Sequence, residues 1–413
     1  MKTSTRSPLA GRWRQACAVL LAGTSMAALL VACGGGGDAG PVGGGNTAPL
    51  SFASGPISGL VSVIVGGVRF DDSAARVEND DDSSSSSSHS SRDLKLGMMV
   101  EVQAGSIDDN SARASASLIR FGSELVGPVA SIDTTASTLR VLDQTIEVKS
   151  TTVFEDGLAG FAAIAVNQVL EIHAQFDAAT GRYVATRIER EDSVRAFRLR
   201  GVVSALDTTT TKTFKIGDAV INFGNVLAAD LPVSFANGQR VRVRLQTAQV
   251  AGQWVAISVR TGMRKVDDHG DARLRGLVSA FRTPQDFEVQ GIPVNASNAR
   301  FEPDAAAVKL GALVEVRGTA SAGKIVATRV KVRDELDDDL QRVELHGSVS
   351  ALDTAAKTFM LRDVKIDYSK VLIWKDGQPA DLADPVKSLK VEVKGVWSAD
   401  RSVLIAAVIE FES

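Results

Sequence analysis

The 413-residue chain has two cysteines, four histidines and two tyrosines, and aromatic residues make up only 5% of it. Two cysteines cannot build a disulfide framework, so the fold must rest on its core. With four scattered histidines, no His-x-x-His, Cys-x-x-Cys or His-Glu-x-x-His spacing appears, which counts against a metal enzyme. No Gly-x-Ser-x-Gly elbow and no glycine-rich phosphate loop occur either. Few aromatics and a net charge of −3 leave little with which to stack bases or grip a phosphate backbone. Nucleic acid is therefore not an expected partner, and no cofactor is implied.

What is present begins at the N-terminus. Lys2, Arg6, Arg12 and Arg14 form a basic head before the apolar run Cys17–Ala32, which has 16 residues. A membrane-spanning helix needs about 20, so this length suits the core of an export signal. The end of the run, Leu30-Val31-Ala32-Cys33, resembles the bacterial lipobox; an ordinary secretory signal with an incidental cysteine is the alternative. The resemblance implies that residues 1–32 are removed and that Cys33 carries lipid, with Cys17 lost alongside the signal. Removing four cations from −3 gives −7 for the mature chain. Gly34, where an aspartate would signal inner-membrane retention, points by the same analogy to the outer membrane, on its periplasmic or surface face. Residues 33–54 begin with "GGGGDAGPVGGGNTAP", too rich in glycine to offset its ordering entropy by burial, and read as a disordered tether.

The body repeats a phrase. "GLVSVIV" starts at Gly59, "GPVASID" at Gly127, "GVVSALD" at Gly201, "GLVSAFR" at Gly276 and "GSVSALD" at Gly347, spaced by 68, 74, 75 and 71 residues. A second landmark follows each: "MVEVQAG" at Met99, "VLEIHA" at Val169, "RVRVRLQ" at Arg240, "LVEVRG" at Leu313 and "KVEVKG" at Lys390. Closing phrases such as "RYVATRIER" at Arg182 and "KIVATRVKV" at Lys324 alternate apolar and polar residues, the period of a strand with one buried face. Asp133, Asp207 and Asp353 read as turn formers, and Phe214, Phe287 and Phe359 as core. The expected fold is all-β: a tandem array of five small antiparallel barrels or rolls, for which an oligonucleotide-binding-like shape is one candidate. The units fall at 55–122, 123–194, 195–267, 268–338 and 339–413. The few helical cues, "LAGFAAIAV" at Leu158 and "DAAAVKLG" at Asp304, allow one short helix or turn per unit. Units this small bury little surface alone, so neighbours should pack or share a strand edge.

The Gly-x-Val-Ser-x-Leu-Asp opening, the Thr-Phe strand, the Val-Glu-Val-x-Gly strand and "VATRIE" or "VATRVK" resemble the family named domain of unknown function 5666. The likeness runs over about residues 56–413 and implies an envelope β-repeat protein. It brings no catalytic residues.

Three features invite chemistry. The tract 78–93, "ENDDDSSSSSSHSSRD", takes the place of a middle strand in unit one; Asp80, Asp81, Asp82 and His89 are its candidate cation ligands. Against that stands a solvated loop, since low-complexity serine offers no fixed geometry. Asp267, Asp268 and Asp271 around His269, and the run Asp334–Asp339, fit no EF-hand spacing and read as wet junctions. Arg240, Arg242 and Arg244 share one strand face, able to hold an anionic glycan or lipid headgroup, or to pair with neighbouring acids. The recurring serine (Ser62, Ser204, Ser279, Ser350) has no neighbouring histidine to activate it.

The expected function is a lipid-anchored envelope scaffold without catalysis, contacting the membrane through its anchor and an envelope protein or glycan through its modules. A divalent-cation or small-anion binder is the alternative, and a glycan-acting enzyme the second. Ligand, partner and oligomeric state are not written in the sequence.

Overall fold

A computed structural model describes residues 51–60, 62–80, 89–154, 158, 160–261, 266–333, 342–361, 364–383, 389–398 and 403–412. Strands and short 3-10 turns supply all the regular structure among them, and no helix there is long and apolar enough to cross a membrane.

The segment 125–190 shows the plan. Leu125–Asp133 pairs antiparallel with Thr138–Val141, which folds back onto Gln144–Glu147. This third strand runs parallel to Arg182–Arg190, which is antiparallel to Val169–Asp177, and Val169–Asp177 returns to Leu125–Asp133. Five strands close on themselves, so no row of backbone groups is left at an edge. The cycle recurs over 269–333, through His269–Thr283, Asp286–Val289, Ile292–Asn295, Lys324–Arg333 and Leu313–Ser321. It recurs again over 342–412, through Arg342–Asp353, Thr358–Leu361, Val364–Asp367, Leu404–Glu412 and Lys390–Trp397. In 197–261 the neighbour order is the same, but the leading strand breaks at Val203 into Phe197–Val202 and Ser204–Asp207. In 51–121 it breaks between Ser51–Pro56 and Gly59–Leu60.

Local chemistry explains the recurring phrase. Its aspartate is a turn clasp: the Asp207 carboxylate accepts N–H bonds from Thr209, Thr210 and Thr211, Asp133 accepts those of Thr135 and Ala136, and Asp353 those of Ala355 and Ala356, all within the turns. Its glycine leaves room for the facing hairpin. A Cβ on Gly127 would lie 2.5 Å from Leu142 Cγ, and one on Gly201 would lie 2.2 Å from Ile216 Cγ2. Its serine ties the same hairpin: Ser279 Oγ accepts the Gly291 N–H at 2.8 Å, and Ser350 Oγ donates to the Met360 carbonyl at 3.3 Å. Phe214, Phe287 and Phe359 are core, as their strands require. The helical cues resolve into 3-10 turns, Phe161–Ala163 and Ala305–Ala307, the second capped by the Asp304 carboxylate on the Ala307 N–H.

Two expectations are corrected. The tether was drawn to residue 54, yet Ser51–Pro56 is a strand with every residue buried. It lies between two neighbours, antiparallel to Met99–Ala104 and parallel to His269–Thr283 with Ser51 opposite Asp271. Pairing on both sides recovers the ordering cost that glycine imposes just upstream. The tract 78–93 was read as replacing the middle strand, but Arg76–Asn79 forms that strand, parallel to Arg113–Phe121. Ser91–Asp93 is a 3-10 turn capped by Ser90, and residues 81–88, with Asp81 and Asp82, lie outside the described residues.

The segments share cores. Leu125–Asp133 pairs with Phe197–Val202, and one apolar cluster spans both barrels, from Leu170 and Tyr183 to Phe214 and Val243. Another joins Phe70, Leu94 and Val102 to Leu345, Phe359 and Phe411. Phe52 enters the cluster of Leu274, Phe287 and Val316. One pair of sequence neighbours, 125–190 and 197–261, shares a strand edge, whereas 51–121 joins 269–333, which is not its neighbour in the chain.

Candidate functional site

A dense row of arginines lies on the outer wall of the 197–261 segment. Along Arg240–Val250, Val241, Val243 and Leu245 point into the core, so alternation places Arg240, Arg242 and Arg244 outside. The flanking strands add arginines in register. Arg242 has Arg200 opposite it on one side and Arg260 on the other; Arg198 stands opposite Arg244. Like charges directly opposite one another weaken a sheet pair, so such a wall needs counter-charges.

Most arrive from other segments. The Asp80 carboxylate takes Arg200 on one oxygen and Arg242 on the other, both at 2.8 Å, and the Asp80 carbonyl also accepts from Arg242. Arg200 has a side chain only 5% exposed, a setting in which a paired carboxylate offsets the cost of burying the charge. Glu124 pairs with Arg240 at 3.0 Å, the two side chains 3% and 10% exposed. Glu171 lies 3.5 Å from Arg198. Arg244 and Arg260 have no carboxylate among the described residues. Nearby, burial opposes ionisation of Glu189, but Arg187 beside it prevails and holds the carboxyl below its usual range. Burial, helped by the charge of Glu171, pushes Glu191 the other way.

The counterpart in 269–333 is built with the opposite sign at its centre. Glu315 occupies the register of Arg242, with Arg275 opposite on one side and Lys331 on the other. It pairs with Arg275 at 3.2 Å and with Arg333 at 2.9 Å, which offsets part of the row's positive charge inside one barrel. Glu101, Glu171 and Glu392 hold the same place elsewhere. The substitution of arginine for glutamate was visible once the second landmarks were laid side by side. That a residue 162 positions upstream would answer it was not.

Of the expected cation ligands, Asp80 and His89 are among the described residues. Asp80 is bound by two arginines, a poor state for a metal ligand, and Asp81 and Asp82 lie outside the described residues. His89 bridges to Val77, meets the edge of Phe121 at 5.3 Å and lies 3.8 Å from Asp93. His269, read as a junction residue, instead opens a strand; it is buried and stacks on Phe52 at 5.8 Å, because the strand Ser51–Pro56 extends the pairing there. Its acidic neighbours are engaged too: Asp271 with Arg273 at 3.1 Å, and Asp268 with the Ala322 N–H at 2.7 Å. His173 is fully buried and accepts the Met99 N–H. The side chain of His346, the run Asp334–Asp339 and Cys33 lie outside the described residues.

These registers repeat across segments whose sequences differ, which makes a family comparison meaningful. Residues 126–189 and 275–331 match the family model of the domain of unknown function, DUF5666. Each match runs over a closed barrel, from its leading strand to its last. No curated protein matches the chain. The two barrels that match the family model each carry a glutamate in the central slot, Glu171 and Glu315, while the arginine wall belongs to the segment between them.

Proposed function

We propose that the chain is a lipid-anchored protein of the bacterial cell envelope, whose five tandem β modules act as a binding and structural scaffold without catalysis. The five-module reading is supported by the common neighbour order, which the two segments with interrupted leading strands keep in pieces. The boundaries stay near residues 123, 195, 268 and 339, with the first module opening at Ser51. The single observation that carries the scaffold reading is the use made of the strongest polar cluster. Asp80, Glu124 and Glu171 hold one segment against another, so charged side chains serve assembly.

The anchor rests on the Leu30-Val31-Ala32-Cys33 motif and the glycine-rich stretch behind it. Its physical role would be reach: lipid holds one end, and residues 34–50 let the body stand off the surface. Replacing Cys33 by serine should release the protein from membranes. Retention of the Cys33→Ser chain after an alkaline carbonate wash would sink the anchor reading.

A further inference from the structure

The arginine wall is not fully neutralised. Arg198, Arg200, Arg240 and Arg242 each have a carboxylate, supplied by Glu171, Asp80 and Glu124, while Arg244 and Arg260 have none among the described residues. These two lie diagonally across one strand pair, since Arg242 faces Arg260 and Arg244 faces Ser258. Diagonal neighbours on adjacent strands lie about 7–8 Å apart, within the reach of long side chains. Val243 and Val259 point into the core beneath them, so both arginines and the Ser258 hydroxyl share the outer face. Arg260 is exposed and Arg244 half-buried.

We infer that Arg244 and Arg260, with Ser258 and the outer edge of Arg242, form a binding site for a dianionic oxyanion of the phosphate class. Three arguments lead there. Two arginines of the wall have no carboxylate among the described residues, which matches the charge of a dianion. Guanidinium groups converging from two strands present paired donors to a tetrahedral oxyanion, and a hydroxyl between them adds a neutral donor. In the sibling barrel Glu315 takes the central slot between Arg275 and Lys331, where this segment has Arg242 between Arg200 and Arg260, so this row carries more positive charge here than there. The overall negative charge of the chain does not prevent local binding, because at physiological ionic strength distant charges are screened beyond about 8 Å.

The test uses the full chain and its Arg244→Gln/Arg260→Gln variant. Calorimetric titration with inorganic phosphate in a phosphate-free, low-salt buffer should show saturable binding that weakens at least tenfold in the variant. An Arg282→Gln control, in the neighbouring barrel, should leave it unchanged. A second arm compares vesicles of neutral phosphatidylcholine with vesicles that also contain phosphatidic acid. Extra binding to the acidic vesicles, lost in the variant, identifies the source as a lipid headgroup; binding of free phosphate alone identifies a soluble source. Failure of both ligands to bind overturns the inference. So does binding that survives in the variant. An unchanged urea midpoint for the variant shows that any loss is not unfolding.

Discussion

The barrels over 269–333 and 197–261 share a strand order and register, yet offset the charge of their central row by different means. In the first, Glu315 sits among Arg275, Lys331 and Arg333, and the offsetting charge is local. In the second, Arg242 replaces it, and Asp80 comes from another segment. A single change of sign at one repeated position thus converts a self-contained wall into an adhesive one. The lesson is that sibling modules in one chain can diverge through their outward face while the inward face, Phe214 or Phe287 over Ile221 or Val294, stays the same.

The largest expected effect breaks the self-contained row. Glu315→Gln removes the carboxylate 3.2 Å from Arg275, whose side chain is 7% exposed. Removing one partner of a buried pair costs about 3 kcal/mol or more. A urea midpoint that stays at the wild-type value would mean that the row of this barrel is ornamental. Next comes the adhesive row. Asp80→Asn should cost about 2 kcal/mol, since hydrogen bonds to charged groups contribute on that scale. In an Arg242→Glu background, which copies the sibling arrangement, the same substitution should cost at least 1 kcal/mol less, because the contact is already gone. Additive effects in that cycle would separate Asp80 from Arg242 energetically.

How far could this have been read from the sequence? The alternating apolar positions, the aspartate turns and the buried phenylalanines depend on residues close in sequence, and those were legible. Gly66-Gly67, for instance, makes the hairpin its dipeptide announces, with Val65 opposite Val68. Ser51–Pro56 was not legible, because nothing in "SFASGP" distinguishes a strand from the end of a tether; its partners lie 50 and more than 200 residues away. The Asp80 contact was hidden for the same reason. Periodicity reports which face of a strand is buried, but not which segment comes to lie on the other face.

Acid should act on a third point of contrast, smaller than the first two. Glu189 sits in the barrel beside the arginine wall, and its carboxyl is held below the usual range by Arg187 despite burial. A carboxyl depressed in the folded state contributes stability above its unfolded pKa, about 4.3, and loses it as pH falls through the lower folded value. Stability measured from pH 6 downward should therefore decline below about pH 4.3, with a shallower decline in Glu189→Gln. Identical acid limbs would show that the folded and unfolded states bind protons at this site alike.

The smallest effect is also the most discriminating, because it is a difference of sign. Arg260 faces Arg242 and Lys331 faces Glu315, at the same register of sibling strands. A like pair directly opposite is destabilising and an unlike pair stabilising, each by a few tenths of a kcal/mol. Arg260→Gln should raise the melting temperature slightly and Lys331→Gln should lower it, in low-salt buffer free of phosphate. Both shifts should shrink toward zero in 1 M salt, where screening acts within about 3 Å. Adding phosphate should reverse the first shift alone, since an anion bound at Arg260 would make that side chain worth keeping. Shifts of the same sign for the two variants would mean that the central residue does not set the polarity of its row.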